Sequence, residues 1–213
     1  LNSMKVSICI PTYNQALYLE QAVRSAVRQT LPPSEIIVAD DCSTDQTQEL
    51  LQALSAEIPV LKVIRQSYNK GITQNTNTCL QSATGDFVVR LDSDDFLSPD
   101  YILRLAELLQ KYPQAGYAHA AVQEVDQNGK HLRLRKLARA AGYQESVDAL
   151  RAATKGYRVA ANILMFRKSA LLSVGYISAH IDFAEDYHLS ASLAAAGYGN
   201  VYLDETLSFY RVW

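Results

Sequence analysis

Carboxylates cluster at places in the sequence where they could do chemistry. Asp92, Asp94 and Asp95 fall within four residues, directly after the short apolar run from Phe87 to Leu91. Like charges this close repel one another unless water solvates them or a cation lies between them. A hard divalent cation carrying a phosphate group fits such a cluster, because it prefers oxygen ligands. A solvated acidic loop or a calcium site remains the alternative.

Two acidic pairs add to this cluster. Asp40 and Asp41 follow an apolar run, and Glu185 and Asp186 precede a segment with helical spacing. An ionised carboxylate only accepts hydrogen bonds, so it can bind the ring N–H of a nucleobase. It can also act as a general base where its surroundings tune its pKa. The same pairs are common in turns and at helix starts, and the residue types alone leave both readings open.

The segments around these carboxylates alternate between strand and helix. This order is typical of a mostly parallel sheet with helices on both faces. Right-handed crossovers then bring Pro11–Asn14, Asp40–Asp41 and Asp92–Asp95 to one edge of the sheet, where such sheets bind ligands. Apolar runs predict strands at 6–10, 36–39, 60–64 and 87–91, and helices are predicted to begin at Asn14, at Ser43 or Thr44, at Ile72 and at Ser98.

The pattern is weaker beyond residue 116. A strand at 117–125, a turn at 126–129 and a returning strand at 131–134 predict a hairpin. Residues 139–142 are expected to form a mobile loop. A helix is predicted at 146–154, a strand at 160–166, and a last helix that begins at the Glu185–Asp186 pair and buries Leu189 and Leu193.

Composition narrows the function classes. The chain has 213 residues, 48% hydrophobic and 20% charged, with a formal net charge of −2. That balance gives no support for nucleic-acid binding, which usually needs a basic domain. Three cysteines without a Cys-x-x-Cys pair suggest reduced thiols and a cytoplasmic setting. No apolar run reaches the length of about 20 residues that spans a bilayer. The chain reads as a domain of a longer protein, which could itself associate with a membrane.

Several segments together resemble the family-two inverting glycosyltransferases of the GT-A fold. They are VSICIPTYN (6–14), IIVADDCSTDQT (36–47), residues 69–85, LDSDD (91–95), the Glu185–Asp186 pair and the closing Tyr210-Arg211-Val212. Each motif alone is common, but the ordered set covers nearly the whole chain. The resemblance implies an α/β, Rossmann-like GT-A sheet with a small C-terminal acceptor-side subdomain. Residues 4–115 would form the nucleotide-sugar-binding half and 116–213 the acceptor-side half of one domain.

The resemblance also implies roles for individual residues. Asp186 would be the general base and Glu185 would orient the site. Asp94 is the first choice for a metal ligand, while Asp92 or Asp95 would contact the donor ribose or the metal, which would be Mn²⁺ or Mg²⁺. Tyr13 would stack on the base and Asp41 would accept its ring N–H. The full expected set is catalytic Asp186 and Glu185; nucleotide-binding Pro11, Tyr13, Asp41, Asn69, Gly71, Asn77 and Asp92; and metal-binding Asp94 and Asp95.

Some residues depart from the family pattern. The family usually has Gly where Cys42 stands, so Cys42 predicts an ordinary or slightly strained backbone there. Asn75 and Cys79 stand where Ala and Gly are common, which bears on donor specificity. Trp213 stands where the family commonly has a histidine that completes the metal site in some members.

The expected function is therefore metal-dependent transfer of a sugar, with inversion, from a nucleotide-diphosphate sugar to an acceptor hydroxyl. A UDP-sugar donor is favoured, with a saccharide or lipid-linked saccharide acceptor, in polysaccharide or cell-wall biosynthesis. One alternative is a catalytically degenerate domain that only binds nucleotide sugars. Another is a sugar nucleotidyltransferase, but Pro11-Thr12-Tyr13-Asn14 is neither glycine-rich nor basic, as that class would need. No P-loop and no Gly-x-Gly-x-x-Gly motif is present.

Overall fold

The computed structural model describes residues 4–156, 159, 162–181 and 184–213. Within these ranges strands and helices alternate through the first half, as the sequence pattern predicts. The strands are β1 (Val6–Thr12), β2 (Glu35–Asp40), β3 (Leu61–Arg65), β4 (Phe87–Arg90), β5 (Phe96–Leu97), β6 (Ala115–Val125), β7 (His131–Arg135), β8 (Gly142–Gln144), β9 (Leu164–Arg167) and β10 (Gly199–Arg211). The helices are α1 (Ala16–Val27), α2 (Thr47–Glu57), α3 (Ile72–Ser82), α4 (Tyr101–Lys111), α5 (Ser146–Ala153), α6 (Lys168–Val174) and α7 (Glu185–Ala195).

These strands form one sheet in the order β3-β2-β1-β4-β9-β6-β10-β5, with β7 paired to β6 and β8 to β10. The first four strands along this order are parallel, which confirms the parallel sheet expected for the first half of the chain. β9 then enters antiparallel between β4 and β6, while β6 and β10 run parallel. The sheet as a whole is therefore mixed, and the two halves of the chain share it.

Helices cover both faces of the sheet, because buried side chains of the inner strands alternate between two cores. On β1, Ile8 and Ile10 belong to the core under α1, α2 and α4, whereas Cys9 faces α3, α6 and α7. The same alternation on β4 places Val89 in the first core and Val88 in the second. The alternation continues to Arg90, which therefore lies on the α7 side of the sheet.

The predicted helix caps are wrong in detail. α1 begins at Ala16 rather than at Asn14, and α2 begins at Thr47 rather than after Ser43 or Thr44. Asp45 replaces the predicted caps, since its carboxylate accepts hydrogen bonds from the N–H groups of Ala16 (3.1 Å) and Thr47 (3.0 Å). The Asp45 carboxylate therefore caps two helices at once. The sequence around either helix alone does not show this.

The fourth helix also begins later than predicted. Its first residue is Tyr101, and Ser98 takes part only through its carbonyl oxygen, which accepts from the Tyr101 N–H at 3.1 Å. Pro99 therefore lies before the helix, where its carbonyl accepts from the N–H of Thr30. A Ser-Pro-Asp sequence satisfies the rules for a helix start and for a preceding turn equally well.

The predicted hairpin is confirmed, with β7 antiparallel to β6 and the Gly129 N–H bonded to the Asp126 carbonyl. The helix predicted at 146–154 is confirmed as α5. Of the strand predicted at 160–166, residues 160 and 161 lie outside the described residues, 162 and 163 are not in a strand, and the observed strand is Leu164–Arg167. β5, β8 and α6 were not predicted from the sequence, because elements of two, three and seven residues are too short to show a hydrophobic period. No helix among the described residues is long and apolar enough to cross a membrane.

Three of the five Lys and Arg side chains between Lys130 and Arg139 pair with acids on neighbouring strands. Glu124 of β6 accepts hydrogen bonds from both Arg133 and Arg135 of β7. Lys136 pairs with Asp204 at 3.0 Å. The run therefore forms a paired hairpin surface rather than a free basic patch.

Candidate functional site

The carboxyl ends of β1, β2 and β4 open onto a cleft of about 500 Å³. It is called the strand-end cleft below. The parallel register brings these ends together, as the sequence predicts. The residues that line it are Pro11, Thr12, Tyr13, Gln15, Asp41, Asn69, Gly71, Ile72, Asn75, Asp92, Ser93 and Asp94.

One wall of the cleft depends on Asp41. Its Oδ1 accepts from the Lys70 N–H at 2.8 Å and its Oδ2 from the Gly71 N–H at 2.9 Å. Gly71 has a φ of +85°, which an L side chain rarely adopts, so glycine suits this turn. Asn69 helps to close the turn by accepting from the Gly71 N–H at 3.1 Å. Asp41 therefore fixes the 69–71 turn and keeps a lone pair on each oxygen for another donor.

Tyr13 also lines the cleft and is 46% exposed, so part of its ring is accessible for stacking. Its loop is tied to the β2–α2 loop through Asn14. The Asn14 N–H donates to Ser43 Oγ at 2.8 Å, and Asn14 Oδ1 accepts from the Thr44 N–H at 2.8 Å. Cys42, in the same loop, has a φ of +63°. Of the two expected alternatives, an ordinary or a slightly strained backbone at Cys42, the positive φ supports the strained one.

The acidic loop, residues 92–95, contains three carboxylates in different surroundings. Asp92 and Asp94 line the cleft, and burial together with the nearby charge of Asp92 raises the pKa of Asp94. Asp95 turns away from the cleft and is 1% exposed. Its Oδ1 accepts from the Arg211 N–H at 2.8 Å, and its Oδ2 is buried without a hydrogen-bond partner. Burial, followed by the charges of Asp92 and Asp94, raises the pKa of Asp95 well above its usual value.

The end of β10 clamps this loop. Arg211 donates to the Asp94 carbonyl at 2.9 Å and to Gln21 Oε1 at 2.8 Å, and its guanidinium lies 4.3 Å from the Tyr18 ring centroid. Trp213 donates its indole N–H to Asp94 Oδ2 at 3.1 Å. At the position where the family commonly has a metal-binding histidine, this chain therefore has a hydrogen-bond donor to the predicted metal ligand.

Glu185 and Asp186 open α7 and are both buried, at 6% and 9% exposure. Burial raises the pKa of Asp186, and the Tyr187 N–H and the positive charge of Arg90 offset part of that effect. Arg90 is 2% exposed and donates from Nε to Asp92 Oδ1 at 3.2 Å. Burial lowers the pKa of Arg90, but the charges of Asp92, Glu185 and Asp186 outweigh it and raise that pKa. Arg90 is thus the shared counter-ion of the acidic loop and the α7 pair.

Sequence reasoning missed two residues of this site. Arg90 stood out only as an interruption of the apolar run, and a charge at a buried strand position was the signal that could have revealed it. Asn162, whose side chain lies between Asp92 and Asp186, gave no signal. Its neighbours in space are 70 and 24 residues away in the chain, so no local pattern connects them.

The expected site residues are thus placed in three groups. Pro11, Tyr13, Asp41, Asn69, Gly71, Asp92 and Asp94 line the cleft, while Glu185 and Asp186 lie beside it through Arg90 and Asn162. Asp95 is held by the backbone of β10 instead. Asn77 also lies outside the cleft lining, because its amide exchanges two hydrogen bonds with the Ile177 backbone. Asn75 and Asn77 point about 200° apart around α3, and it is Asn75 that faces the cleft.

The cleft offers a divalent cation two carboxylate ligands rather than a complete set of protein ligands. Among the described residues no group of three His, Cys, Asp or Glu side chains is arranged to hold a metal ion. Mg²⁺ is usually bound by one or two carboxylates and keeps its other positions for water and phosphate oxygens. Asp92 and Asp94 at the cleft wall fit that kind of site.

Comparisons with known proteins agree with this architecture. Residues 7–171 match the model of the family described as Glycosyl transferase family 2. The chain is 36% identical to chondroitin synthase of Escherichia coli over 124 residues, covering 58% of this chain and 18% of that protein. It is 39% identical over 116 residues to a GalNAc(5)-diNAcBac-PP-undecaprenol beta-1,3-glucosyltransferase of Campylobacter jejuni, covering 54% of this chain and 36% of that protein.

The fold has a close match among solved structures. Residues 1–349 of TarS from Staphylococcus aureus, solved in complex with UDP-GlcNAc, superpose with a TM-score of 0.79 at 22% identity. That match covers 99% of this chain and 59% of the solved chain, so the chain spans only part of the proteins it resembles. The fold is GT-A, and the chain belongs to glycosyl transferase family 2.

Proposed function

We propose that this domain transfers a sugar from a UDP-sugar to an acceptor hydroxyl with inversion at the anomeric carbon. The observation that carries the proposal is the juxtaposition at one sheet edge. Tyr13, Asp41 and Asp92 line a single cleft, and Asp186 lies next to its wall through Asn162. The solved UDP-GlcNAc complex of a protein with this fold supports a uridine nucleotide as the donor.

The donor would lie across the strand-end cleft. Tyr13 stacks on the uracil ring, and Asp41 accepts the uracil ring N–H while its other lone pairs hold the 69–71 turn. Asp92 takes a ribose hydroxyl. All three of these residues line the cleft. The sugar then lies towards Asn162 and the start of α7.

The reaction is a single displacement. Asp186 takes the proton of the acceptor hydroxyl while the acceptor oxygen bonds to the anomeric carbon. The bond between that carbon and the β-phosphate oxygen breaks at the same time, and the nucleoside diphosphate leaves with the bonding electrons. Attack from the face opposite the leaving group inverts the anomeric centre. Glu185, beside Asp186 at the start of α7, helps to orient the site.

Asp94 and Asp92 would hold Mg²⁺ or Mn²⁺. When bound, such a cation neutralises charge on the leaving diphosphate. Asp95 contributes through its position instead, since its hydrogen bond to Arg211 anchors the acidic loop. The acceptor is a saccharide or a lipid-linked saccharide and approaches from the side of the Lys130–Lys155 segment. In a longer protein the domain would work on the cytoplasmic side, with or without peripheral contact to a membrane.

A ligand panel tests the proposal. The melting temperature is measured with UDP-, GDP- and TDP-sugars, each with and without Mn²⁺. A ligand that binds only the folded state stabilises it by RT ln(1 + [L]/Kd), so a concentration of 100 Kd adds about 2.7 kcal/mol. We expect a shift with UDP-sugars that grows with Mn²⁺. No shift with any nucleotide sugar would contradict the proposal.

A hydrolysis or transfer assay separates the proposal from its alternative, a domain that only binds nucleotide sugars. A degenerate binding domain would show the thermal shift but release no UDP from the donor in a hydrolysis or transfer assay. Asp41→Asn tests the nucleobase site, because it keeps the shape of the side chain and removes its charge. We expect this variant to lose the preference for uridine over other bases.

A further inference from the structure

Asn162 lies between Asp92 of the strand-end cleft and Asp186 at the start of α7. With its amide nitrogen towards Asp92, that nitrogen lies 3.3 Å from Asp92 Oδ2. With the amide turned over, the nitrogen lies 2.9 Å from Asp186 Oδ2 and 3.3 Å from Asp186 Oδ1. One planar side chain therefore reaches both acids without moving its backbone.

The two orientations suit two protonation states of Asp186. An ionised Asp186 is an acceptor only, so it needs the amide N–H towards it. A protonated Asp186 can donate its O–H to the amide oxygen, which frees the N–H for Asp92. A carboxylate that faces the amide oxygen without a proton would place two acceptors in contact, which is unfavourable in a buried site.

We propose that Asn162 is the positioning residue of the base: its amide nitrogen, 2.9 Å from Asp186 Oδ2, donates to the ionised carboxylate and holds it ready to take the acceptor's proton. This inference rests on the proposed function, which makes Asp186 the base. The Asn162 side chain also lies next to Asp92, which belongs to the strand-end cleft, so it connects the proposed general base with the donor site.

Charged and titratable groups on β4, α7 and β6 interact with the charge of Asp186. Arg90 of β4 favours its ionised form, and Glu185 of its own helix opposes it. Tyr117 of β6 also lies within range of its charge. Beyond these groups, the Asn162 amide offers a directed hydrogen bond. A hydrogen bond to a charged group stabilises that charge by about 1.5–3 kcal/mol, so its loss raises the pKa of the acid by roughly one to two units.

The test follows the Asp186 carboxyl directly. Protein carrying ¹³C-labelled aspartate is titrated by NMR without metal, and Asp186→Asn assigns the resonance. We expect the pKa of Asp186 to rise by about one unit in Asn162→Ala. It should rise further in Asn162→Asp, a nearly isosteric variant whose added negative charge also opposes ionisation. The acidic limb of kcat/KM for sugar transfer should move by the same amount, while UDP still binds.

A matched control separates this effect from general loosening. Gln29→Ala removes a buried amide that bonds the backbone of Ser98 and Ile102, next to α1 and α4 on the face of the sheet opposite α7. It should lower the melting temperature and leave the Asp186 pKa unchanged. An unchanged pKa in both Asn162 variants, or an equal rise in Gln29→Ala, would overturn the inference. If the unaltered protein transfers no sugar, the proposed function falls, but the carboxyl titration still decides whether Asn162 holds Asp186.

Discussion

At the residue scale the chemistry rests on how each carboxylate is solvated. Asp94, Asp95 and Asp186 all have a raised pKa, and in each the largest cause is burial. They differ in their partners: an indole N–H for Asp94, a backbone N–H for Asp95 and a nearby guanidinium for Asp186. These partners, rather than the residue type, separate a structural acid from a reactive one.

The raised pKa of Asp186 gives a pH prediction. A general base works only when it is ionised, so activity should fall as the pH drops through a value above the ordinary pKa of an aspartate. A profile of kcat/KM against pH should show one acidic limb at that raised value. Asp186→Asn should lower turnover by orders of magnitude and keep UDP binding. Near-normal turnover in this variant would contradict the assignment of the base.

Cys42 gives a prediction about backbone strain. Its φ of +63° costs a residue with a side chain about 1–2 kcal/mol, whereas glycine pays about 0.5–1 kcal/mol in entropy. Its Sγ lies 4.0 Å from the Ser67 carbonyl, so little is lost with the thiol. Cys42→Gly should therefore leave the free energy of unfolding unchanged or raise it by up to about 1 kcal/mol, as measured in urea. The neighbouring Thr44→Gly, at a residue without positive φ, should lower it.

At the element scale, a buried acid away from the cleft connects neighbouring strands of the sheet. Glu35, at the start of β2, accepts hydrogen bonds from Ser7 Oγ on β1 at 2.6 Å and from the Thr84 N–H at 2.7 Å, and pairs with Lys62 on β3. Burial raises the pKa of Glu35, but these hydrogen bonds outweigh it and lower the pKa to about 2. Three strands and the turn before β4 thus depend on one ionised group.

The sign of this shift fixes how stability changes with pH. The folded pKa lies below the ordinary value of 4.5, so the contribution is complete above pH 4.5 and is lost as the pH falls towards 2. Glu35→Gln should therefore lower the free energy of unfolding by roughly 2–3 kcal/mol at pH 7. Urea titrations at several pH values should show the gap closing below pH 4.5. A constant gap would mean that the charge of Glu35 is not what stabilises the sheet.

At the scale of the whole molecule the two halves of the chain meet at Arg211. Besides its contacts with Asp94 and Gln21, its guanidinium donates to the carbonyls of Asp126 and Gln127 in the β6–β7 turn. It is 3% exposed. One buried side chain at the end of β10 therefore ties the acidic loop, α1 and the β6–β7 hairpin together.

Arg211→Lys tests whether these contacts of Arg211 stabilise the fold. A lysine keeps the charge but cannot make the forked set of hydrogen bonds, so we expect a loss of about 3 kcal/mol or more in unfolding free energy. The control is Arg104→Lys, whose exposed pair with Glu205 should contribute at most about 1 kcal/mol. Because Arg211 holds the acidic loop, its variant should also weaken UDP-sugar binding. Equal effects of the two substitutions on stability would contradict the role of Arg211.

The first half of the fold could be predicted from sequence because its signals are local. Apolar runs mark β1, β2 and β4, and the carboxylates that follow them reach one edge because parallel strands end together. Helix starts were misplaced where a loop side chain such as Asp45 caps from outside the helix. The antiparallel entry of β9 carried no sequence signal, since four residues reveal neither direction nor partner.

The sequence by itself determined the α/β class, the family resemblance and the gathering of acidic residues at one edge of the sheet. Only the tertiary structure decided which acids face the cleft, that Arg90 lies among three of them, and that Asn162 reaches Asp186. Trp213 and Asp94 lie 119 residues apart in the chain and 3.1 Å apart in the fold. Periodicity and spacing describe neighbours along the chain, whereas solvation and hydrogen bonding, which set the chemistry of a buried acid, depend on neighbours in space.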